Sequence, residues 1–136
     1  MCNGNNNPPT PTTITIYVSR NGNSMQLKLR DSEGHNPNND QLTTDVSPGD
    51  IIKWDLDTNS GLSSITQVKK VEPSDPSFQP NASTLLTSEP TSVNNEIIAT
   101  VVATSPGSNA FENYKIGFTV PGDDNVYWDD PRLRMK

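Results

Sequence analysis

Apolar and polar residues alternate one by one in several short runs of this chain, and each such run fits a strand with one buried face. Ile14, Ile16 and Val18 carry the first run, separated by threonine and tyrosine. The same two-residue period returns around Trp54 and again over residues 114–120. The sequence therefore predicts an all-β sandwich of about seven or eight strands, with Trp54 at the centre of its core.

Turn-forming residues separate these runs. Asn21-Gly22 directly follows the first run and predicts a hairpin closed by a two-residue type I′ turn. Pro48-Gly49 predicts a type II turn ahead of the strand that carries Trp54. Residues 72–92 are rich in proline, and so long a loop in a compact domain is either functional or an excursion across the sandwich.

Two other segments depart from simple alternation. Ile65, Val68 and Val71 are spaced by three, which fits a short helix or a bulged strand, and the β surroundings favour the strand. Residues 96–104 are apolar at consecutive positions, which predicts a central strand covered on both faces.

Composition supports one β domain. The chain has 136 residues, which suits a single hydrophobic core, and its twelve prolines and many Asn, Ser and Thr residues disfavour helices. We expect residues 1–11 to form a flexible N-terminal tether and residues 12–136 to form the sandwich domain.

The only cysteine, Cys2, stands ahead of a tail of Asn, Pro and Thr. This arrangement is typical of the first residue of a mature bacterial lipoprotein, with Met1 in place of a removed signal peptide. We therefore expect a lipid on Cys2 to hold the domain at the bacterial cell envelope, as an outer-membrane lipoprotein.

The charge balance restricts the partners. The net charge is −6 and the ten cations are spread along the chain, which argues against a nucleic-acid partner. No apolar run approaches the ~18 residues of a membrane-spanning helix, so we expect membrane contact only through the lipid on Cys2.

Two stretches resemble the cupredoxin family of Greek-key sandwiches. Residues 46–54, Val-Ser-Pro-Gly-Asp-Ile-Ile-Lys-Trp, are similar to the strand in which Gly-Asp precedes an alternating run that ends in Trp. Residues 114–118 are similar to the strand whose Tyr stands four residues ahead of the copper-binding Cys. The resemblance implies a Greek-key sandwich over residues 12–136, and an immunoglobulin-like sandwich remains the alternative.

The copper ligands of that family are absent from the matching positions. Phe118 stands where the copper-binding Cys would be, and the single histidine, His35, lies in another loop. A blue-copper site needs two His and one Cys thiolate. We therefore expect no copper and no other cofactor.

The chain also resembles small lipid-anchored, cupredoxin-like proteins of the Bacteroidetes. Cys2 with its Asn-rich tail, the run from Gly49-Asp50 to Trp54, and the closing segment 130–134, Asp-Pro-Arg-Leu-Arg, carry this resemblance. It implies a scaffold and a membrane attachment, and it implies no activity.

Asp55, Asp57 and Asn59 place oxygen-bearing side chains at alternate positions, as calcium loops do at their start. That loop pattern requires Gly at its sixth position and Glu at its twelfth, where this chain has Ser60 and Thr66. A strand end followed by a turn is the favoured interpretation, and the three residues are weak calcium candidates.

Catalysis has little support. The pairs Asp123-Asp124 and Asp129-Asp130 are expected to be solvated turn acids, and His35 an exposed loop residue. No Gly-x-Ser-x-Gly nucleophile motif occurs in the chain. We expect the protein not to be an enzyme.

Tyr127 and Trp128 are neighbours in a predicted strand, so their side chains should face opposite sides of the sheet. An exposed Trp128 would stack on a sugar ring or anchor a protein interface. Ordinary burial preferences favour the other interpretation, in which the segment around Pro131 covers Trp128.

These observations give two functional hypotheses. The first is a non-catalytic, lipid-anchored β-sandwich that is a binding or accessory subunit of a cell-surface assembly, with other envelope proteins as partners. The second is a carbohydrate-binding module that uses Trp128, with or without calcium.

Overall fold

The computed structural model describes residues 11–136, and the predicted lipid attachment at Cys2 and nearly all of the predicted tether lie outside them. Within the described residues the chain forms ten strands. The first five are β1 (Thr13–Arg20), β2 (Leu27–Asp31), β3 (Thr43–Val46), β4 (Ile51–Leu56) and β5 (Ser64–Lys70). The others are β6 (Thr91–Val93), β7 (Glu96–Thr100), β8 (Phe111–Thr119), β9 (Tyr127–Asp129) and β10 (Arg132–Met135).

The strands form two mixed sheets that pack face to face. The first sheet has the order β2-β1-β4-β7-β6, and the second has the order β3-β10-β8-β5, with β9 also paired to β8. β1 runs parallel to β4 and β10 runs parallel to β3, whereas the other pairings are antiparallel. The predicted all-β sandwich is confirmed.

The strand count of about seven or eight was too low. β6 is short and wholly exposed, so it has no apolar alternation to reveal it. β9 and β10 pair with the same edge of β8, and Asp130-Pro131 separates them. Proline has no N–H group to donate to the ladder, so pairing stops there.

Trp54 lies at the centre of the core, as predicted. Its ring meets the ring of Tyr114 from the opposite sheet edge-on, with centroids 5.3 Å apart and both side chains fully buried. Edge-to-face aromatic pairs of this kind stabilise a core beyond their buried area. The inner faces are completed by aliphatic side chains, among them Ile14, Ile16, Val18, Ile52, Ile116, Leu133 and Met135.

The first hairpin forms, but its turn is not the predicted one. β1 and β2 pair from Arg20 opposite Leu27, so residues 21–26 form a longer connection and the two-residue type I′ turn is wrong. Arg20 stabilises this loop, because its guanidinium donates to the carbonyl oxygens of Asn23 and Ser24. Gly22 has a left-handed φ of 59°, whereas Asn21 is not left-handed.

The type II turn before β4 is present. Gly49 has a φ of 82°, and the N–H of Asp50 donates to the carbonyl of Ser47 at 3.1 Å. The Asp50 carboxylate accepts from the N–H groups of Ser47 and Thr12, at 2.8 and 3.0 Å. This buried carboxylate therefore joins the start of β1 to the turn.

The segment with three-residue spacing is a bulged strand, as favoured. The pairing of β5 with β8 shifts between Ile65 and Gln67. Val68 is buried beyond the bulge, and Val71 falls past the strand end.

The strand that is covered on both faces is β8, not the segment 96–104. β7 ends at Thr100, and Ile98 on its outer face is only half-buried because this part of the outer face is open. Ile97 packs against the core opposite Trp54 and is half-buried as well. In β8, Tyr114 and its alternates face the core, while Asn113 and Gly117 on the outer face are buried as well.

The long connection from β5 to β6 crosses the rim of the sandwich. Leu85 and Leu86 are fully buried, and their N–H groups donate to the Glu112 carboxylate at 2.8 and 3.0 Å. The buried carboxylate of Glu112 thereby fixes the end of this loop to β8. No helix long and apolar enough to cross a bilayer occurs in the part of the chain that the structure describes.

Candidate binding surface

Tyr127 and Trp128 lie on opposite faces of the short strand β9, as predicted. Tyr127 is half-buried with its ring centroid 6.0 Å from that of Phe118, whereas Trp128 is 42% exposed on the outer face of the second sheet. The favoured interpretation, in which the Pro131 segment covers Trp128, is therefore wrong, because the residue remains exposed to solvent.

The indole of Trp128 rests on Gly117, its cross-strand partner in β8. A Cβ atom added at Gly117 would lie 2.9 Å from two indole carbons and 2.8 Å from the hydroxyl of Thr66. Glycine weakens a strand interior, and an aromatic ring packed over it restores the missing contact. The absence of a side chain at Gly117 therefore leaves the space in which the ring packs against the sheet.

Two lysines flank the ring. Lys69 and Lys115 are directly opposite each other on β5 and β8, and their Nζ atoms lie 5.9 and 5.3 Å from the indole centroid. These distances are within cation–π range. We call Trp128, Gly117, Lys69, Lys115 and Asp75 the Trp128 surface.

The two lysines differ in their acidic partners. The Nζ of Lys115 lies 2.5 Å from a carboxylate oxygen of Asp75, and this hydrogen bond holds the pKa of Asp75 well below its usual range. Lys69 forms no ion pair with any carboxylate within residues 11–136. One positive charge of the Trp128 surface is therefore not neutralised by that part of the chain.

The turn between β8 and β9 is held by a hydrogen bond to Asp123. The hydroxyl of Tyr127 donates to Asp123 at 2.5 Å, which lowers the pKa of Asp123 and raises that of Tyr127. Asp123 is thus not a free turn acid as expected, although its neighbour Asp124 is exposed.

Asp129 is a second correction to the expected solvated acids. It is half-buried, and its Oδ2 accepts from the N–H of Leu27 at 2.7 Å. Burial, with the nearby Asp40, raises the pKa of Asp129 to about 6. Asp130, in contrast, is exposed as expected, although partial burial still raises its pKa.

The structure does not bring the three weak calcium candidates together as ligands. Both carboxylate oxygens of Asp57 accept from the guanidinium of Arg30, at 2.8 and 2.9 Å. Asp55 lies 3.5 Å from the ammonium of Lys53, and Asn59 occupies a left-handed turn position with a φ of 53°. The interpretation as a strand end and turn fits these contacts.

His35 lies in the loop after β2, as expected, but it is held there by a buried carboxylate. Its side chain is 39% exposed, and its Nδ1 lies 2.9 Å from the buried Asp31 carboxylate. Asp31, Glu33 and His35 bring potential metal-ligating atoms within 4.8 Å of one another. The Asp31 oxygens, however, already accept from the hydroxyl of Thr44 and from the N–H groups of Glu33 and His35, so this group stabilises the β2–β3 loop.

A cavity of about 390 Å³ lies between the β5–β6 connection and the start of β8. Lys70 and Glu112 line it, with their charged atoms 3.5 Å apart, together with the apolar side chains of Pro73 and Phe78. Asn113 also lines it and carries a buried amide oxygen without a hydrogen-bond partner in the described structure.

Strand pairing assembles the Trp128 surface from residues far apart in sequence. Trp128 was identified from sequence as a candidate, but Lys69, Lys115, Gly117 and Asp75 were not. A glycine within the alternating run of β8 was the one local signal of close packing. Which residue packs over that glycine depends on the strand register, which the sequence alone does not show.

These features define an all-β sandwich with one exposed, positioned tryptophan. No family model and no curated protein matches the chain. Among solved structures, the chain is similar to the inclusion body protein PixA from Burkholderia cenocepacia J2315, with a TM-score of 0.54 and 13% identity. The match covers 94% of this chain and 98% of that chain, and at this identity it shows a shared fold alone.

Proposed function

We propose that this protein is a non-catalytic binding subunit of a bacterial cell-surface assembly, attached to the outer membrane by a lipid on Cys2. The exposed Trp128, held against Gly117, is the observation that carries the binding role. Tryptophan is enriched among the residues that dominate binding energy at interfaces. A ring already fixed by the sheet loses little conformational freedom when a partner covers it.

The contacts of the polar groups support a non-catalytic role. The only histidine of the chain is held by the buried carboxylate of Asp31. Asp57 is paired with Arg30, and Asp123 accepts from Tyr127. These acids are used to fix loops rather than to face one another across a cleft.

The scaffold is, in our proposal, cupredoxin-like. The two stretches that carry this resemblance lie in β4 and β8, on opposite sheets. Their aromatic residues, Trp54 and Tyr114, meet at the centre of the core. Phe118 occupies the position of the copper-binding Cys and is fully buried among apolar side chains, which suits a scaffold without copper.

Carbohydrate binding is a second candidate. The Trp128 ring contacts the sheet at Gly117, the ammonium groups of Lys69 and Lys115 lie over it, and the residue is 42% exposed. The electron-rich face of an indole attracts the C–H groups of a sugar ring. The exposed part of the indole favours this candidate.

Cross-linking in native membranes tests the binding role. We expect the native chain to capture one or more envelope proteins, and Trp128→Ala to reduce their capture at least about tenfold, as loss of a central interface residue does. Val93→Ala is the matched control, because Val93 is similarly exposed on β6 of the other sheet. Undiminished capture by Trp128→Ala would overturn the role of this surface.

Fractionation of cells that express the native precursor tests the attachment. We expect the chain in the outer-membrane fraction and Cys2→Ser in a soluble fraction. A chain that stays membrane-bound without an acyl group on Cys2 contradicts the anchoring proposal.

A further inference from the structure

We propose that the Trp128 surface binds an acidic oligosaccharide, with one sugar ring stacked on the indole and a carboxylate or sulfate group beside Lys69 and Lys115. This inference rests on the proposed binding role of Trp128 and adds the chemical class of the ligand.

The position of the ring supports stacking. Gly117 lies directly beneath two carbons of the indole, and a methyl group there would force the ring away from the sheet. The contact holds the ring against the sheet, and 42% of the residue remains exposed for a sugar to cover, beside the ammonium groups of Lys69 and Lys115. A flat, fixed and exposed aromatic ring is complementary to the flat face of a sugar.

The charges beside the ring support an acidic ligand. Like charges directly opposite each other on neighbouring strands destabilise a sheet, yet Lys69 and Lys115 occupy such a pair. The chain as a whole carries a net charge of −6, so general basicity does not account for two adjacent lysines here. An anionic group at this position relieves their repulsion.

Asp75 already neutralises one of the two lysines. Its carboxylate lies against Lys115, whereas no carboxylate of residues 11–136 pairs with Lys69. A ligand anion would give Lys69 the counter-charge that Asp75 gives Lys115.

The same features disfavour other anionic ligands. Nucleic acids and anionic membranes are bound through many cations, and this surface offers two lysines and one aromatic ring. An oligosaccharide with a few acidic groups requires no more than that. Binding to single-stranded DNA or to phosphatidylglycerol vesicles instead of the acidic glycan would overturn the proposal.

Calorimetry with defined oligosaccharides tests the ligand class. The probes are a tetragalacturonate, a sulfated heparin tetrasaccharide and the neutral cellotetraose, each titrated into the purified chain. We expect at least one acidic probe to bind at least about tenfold more tightly than the neutral one, with an affinity that falls as salt rises.

Variants locate the site. We expect Lys69→Gln to weaken acidic-probe binding about two- to fivefold, as loss of one exposed charge pair does, and Trp128→Ala to abolish it. Trp128→Phe should retain part of the binding, which separates stacking from any effect of Trp128→Ala on folding. Lys28→Gln is the matched control, because Lys28 is an exposed lysine on β2 of the other sheet.

The outcomes separate this inference from the broader binding role. Equal binding of neutral and acidic probes, unchanged by Lys69→Gln but lost in Trp128→Ala, overturns the acidic ligand and leaves the binding surface intact. Failure of every probe overturns the glycan inference, while the membrane cross-linking result for Trp128→Ala decides the binding role by itself.

Discussion

At the scale of single residues, several carboxylates of this chain accept hydrogen bonds from backbone N–H groups and so fix loops and strand ends. Asp50 fixes the start of β1, Asp31 holds the loop around His35, and Asp129 accepts from the backbone of β2. The sequence predicted that Asp129 is a solvated turn acid, because the N–H group that meets its carboxylate comes from a distant strand. Asp129 lies 102 positions from its partner Leu27, and no local pattern reveals that contact.

Asp129→Asn should stabilise the protein at neutral pH. The pKa of Asp129 is about 6 in the folded state against 3.8 ordinarily, so the folded state binds the proton more strongly. The stability that the proton on Asp129 gives to the folded state is fully present below about pH 4 and is lost as the pH rises through 6. Asparagine keeps an acceptor for the Leu27 N–H without the buried charge, and we expect a gain of about 1 kcal/mol at pH 7 after solvent screening.

Thermal unfolding at pH 4 and pH 7 measures this effect. The gain should be present at pH 7 and close to zero at pH 4, whereas the exposed control Asp124→Asn should show no such difference. An equal gain at both pH values would contradict the burial of a charge as its cause.

At the scale of elements, β8 organises the molecule because both of its faces are covered. Its inner face supplies Tyr114 to the core, and Glu112 near its start holds the β5–β6 connection. Its outer face meets the Trp128 ring at Gly117. The alternation of residues 114–120 predicted the inner face, but the cover on the outer face comes from segments whose positions depend on tertiary pairing.

Gly117→Ala should destabilise the protein by about 1–3 kcal/mol, because an added methyl group overpacks the contact with the indole. Trp128→Ala removes most of that clash, so the double variant should be more stable than the sum of the two single effects predicts. Urea unfolding of the four proteins gives the coupling energy. Strictly additive effects would mean that the ring does not rest on Gly117 in solution.

At the scale of the whole molecule, the two sheets are joined through one dense core, and Trp54 is its largest side chain. The fold class and the strands that carry clean alternation could be predicted, since burial of one face repeats every two residues. β6, the β9–β10 break and the six-residue hairpin connection of residues 21–26 could not, because exposed edges and loop hydrogen bonds leave no such period. The lysines of the Trp128 surface could not be predicted either, because their proximity to Trp128 depends on the strand register, which the sequence alone does not show.

Trp54→Ala should cost about 3–5 kcal/mol, a large part of the ~5–15 kcal/mol that stabilises a domain of this size. We expect its cooperative unfolding transition to shift far down in urea or to disappear at 37 °C. Leu56→Ala is the matched control on the same strand, because Leu56 is 43% exposed and should change stability by less than about 0.5 kcal/mol. Similar losses from both variants would contradict the assigned core.

The two parallel pairings also bring the two ends of the described chain to one end of the molecule. Thr13 pairs with Ile51 and Met135 pairs with Val46, so the start of β1 and the end of β10 flank the same turn at one end of the sandwich. β8 begins near that end and carries Gly117 away from it, about 20 Å along the strand. If the chain is attached through Cys2, as we propose, the link to the membrane enters at the end of the sandwich that bears Thr12, and Trp128 lies on the half farther from that point.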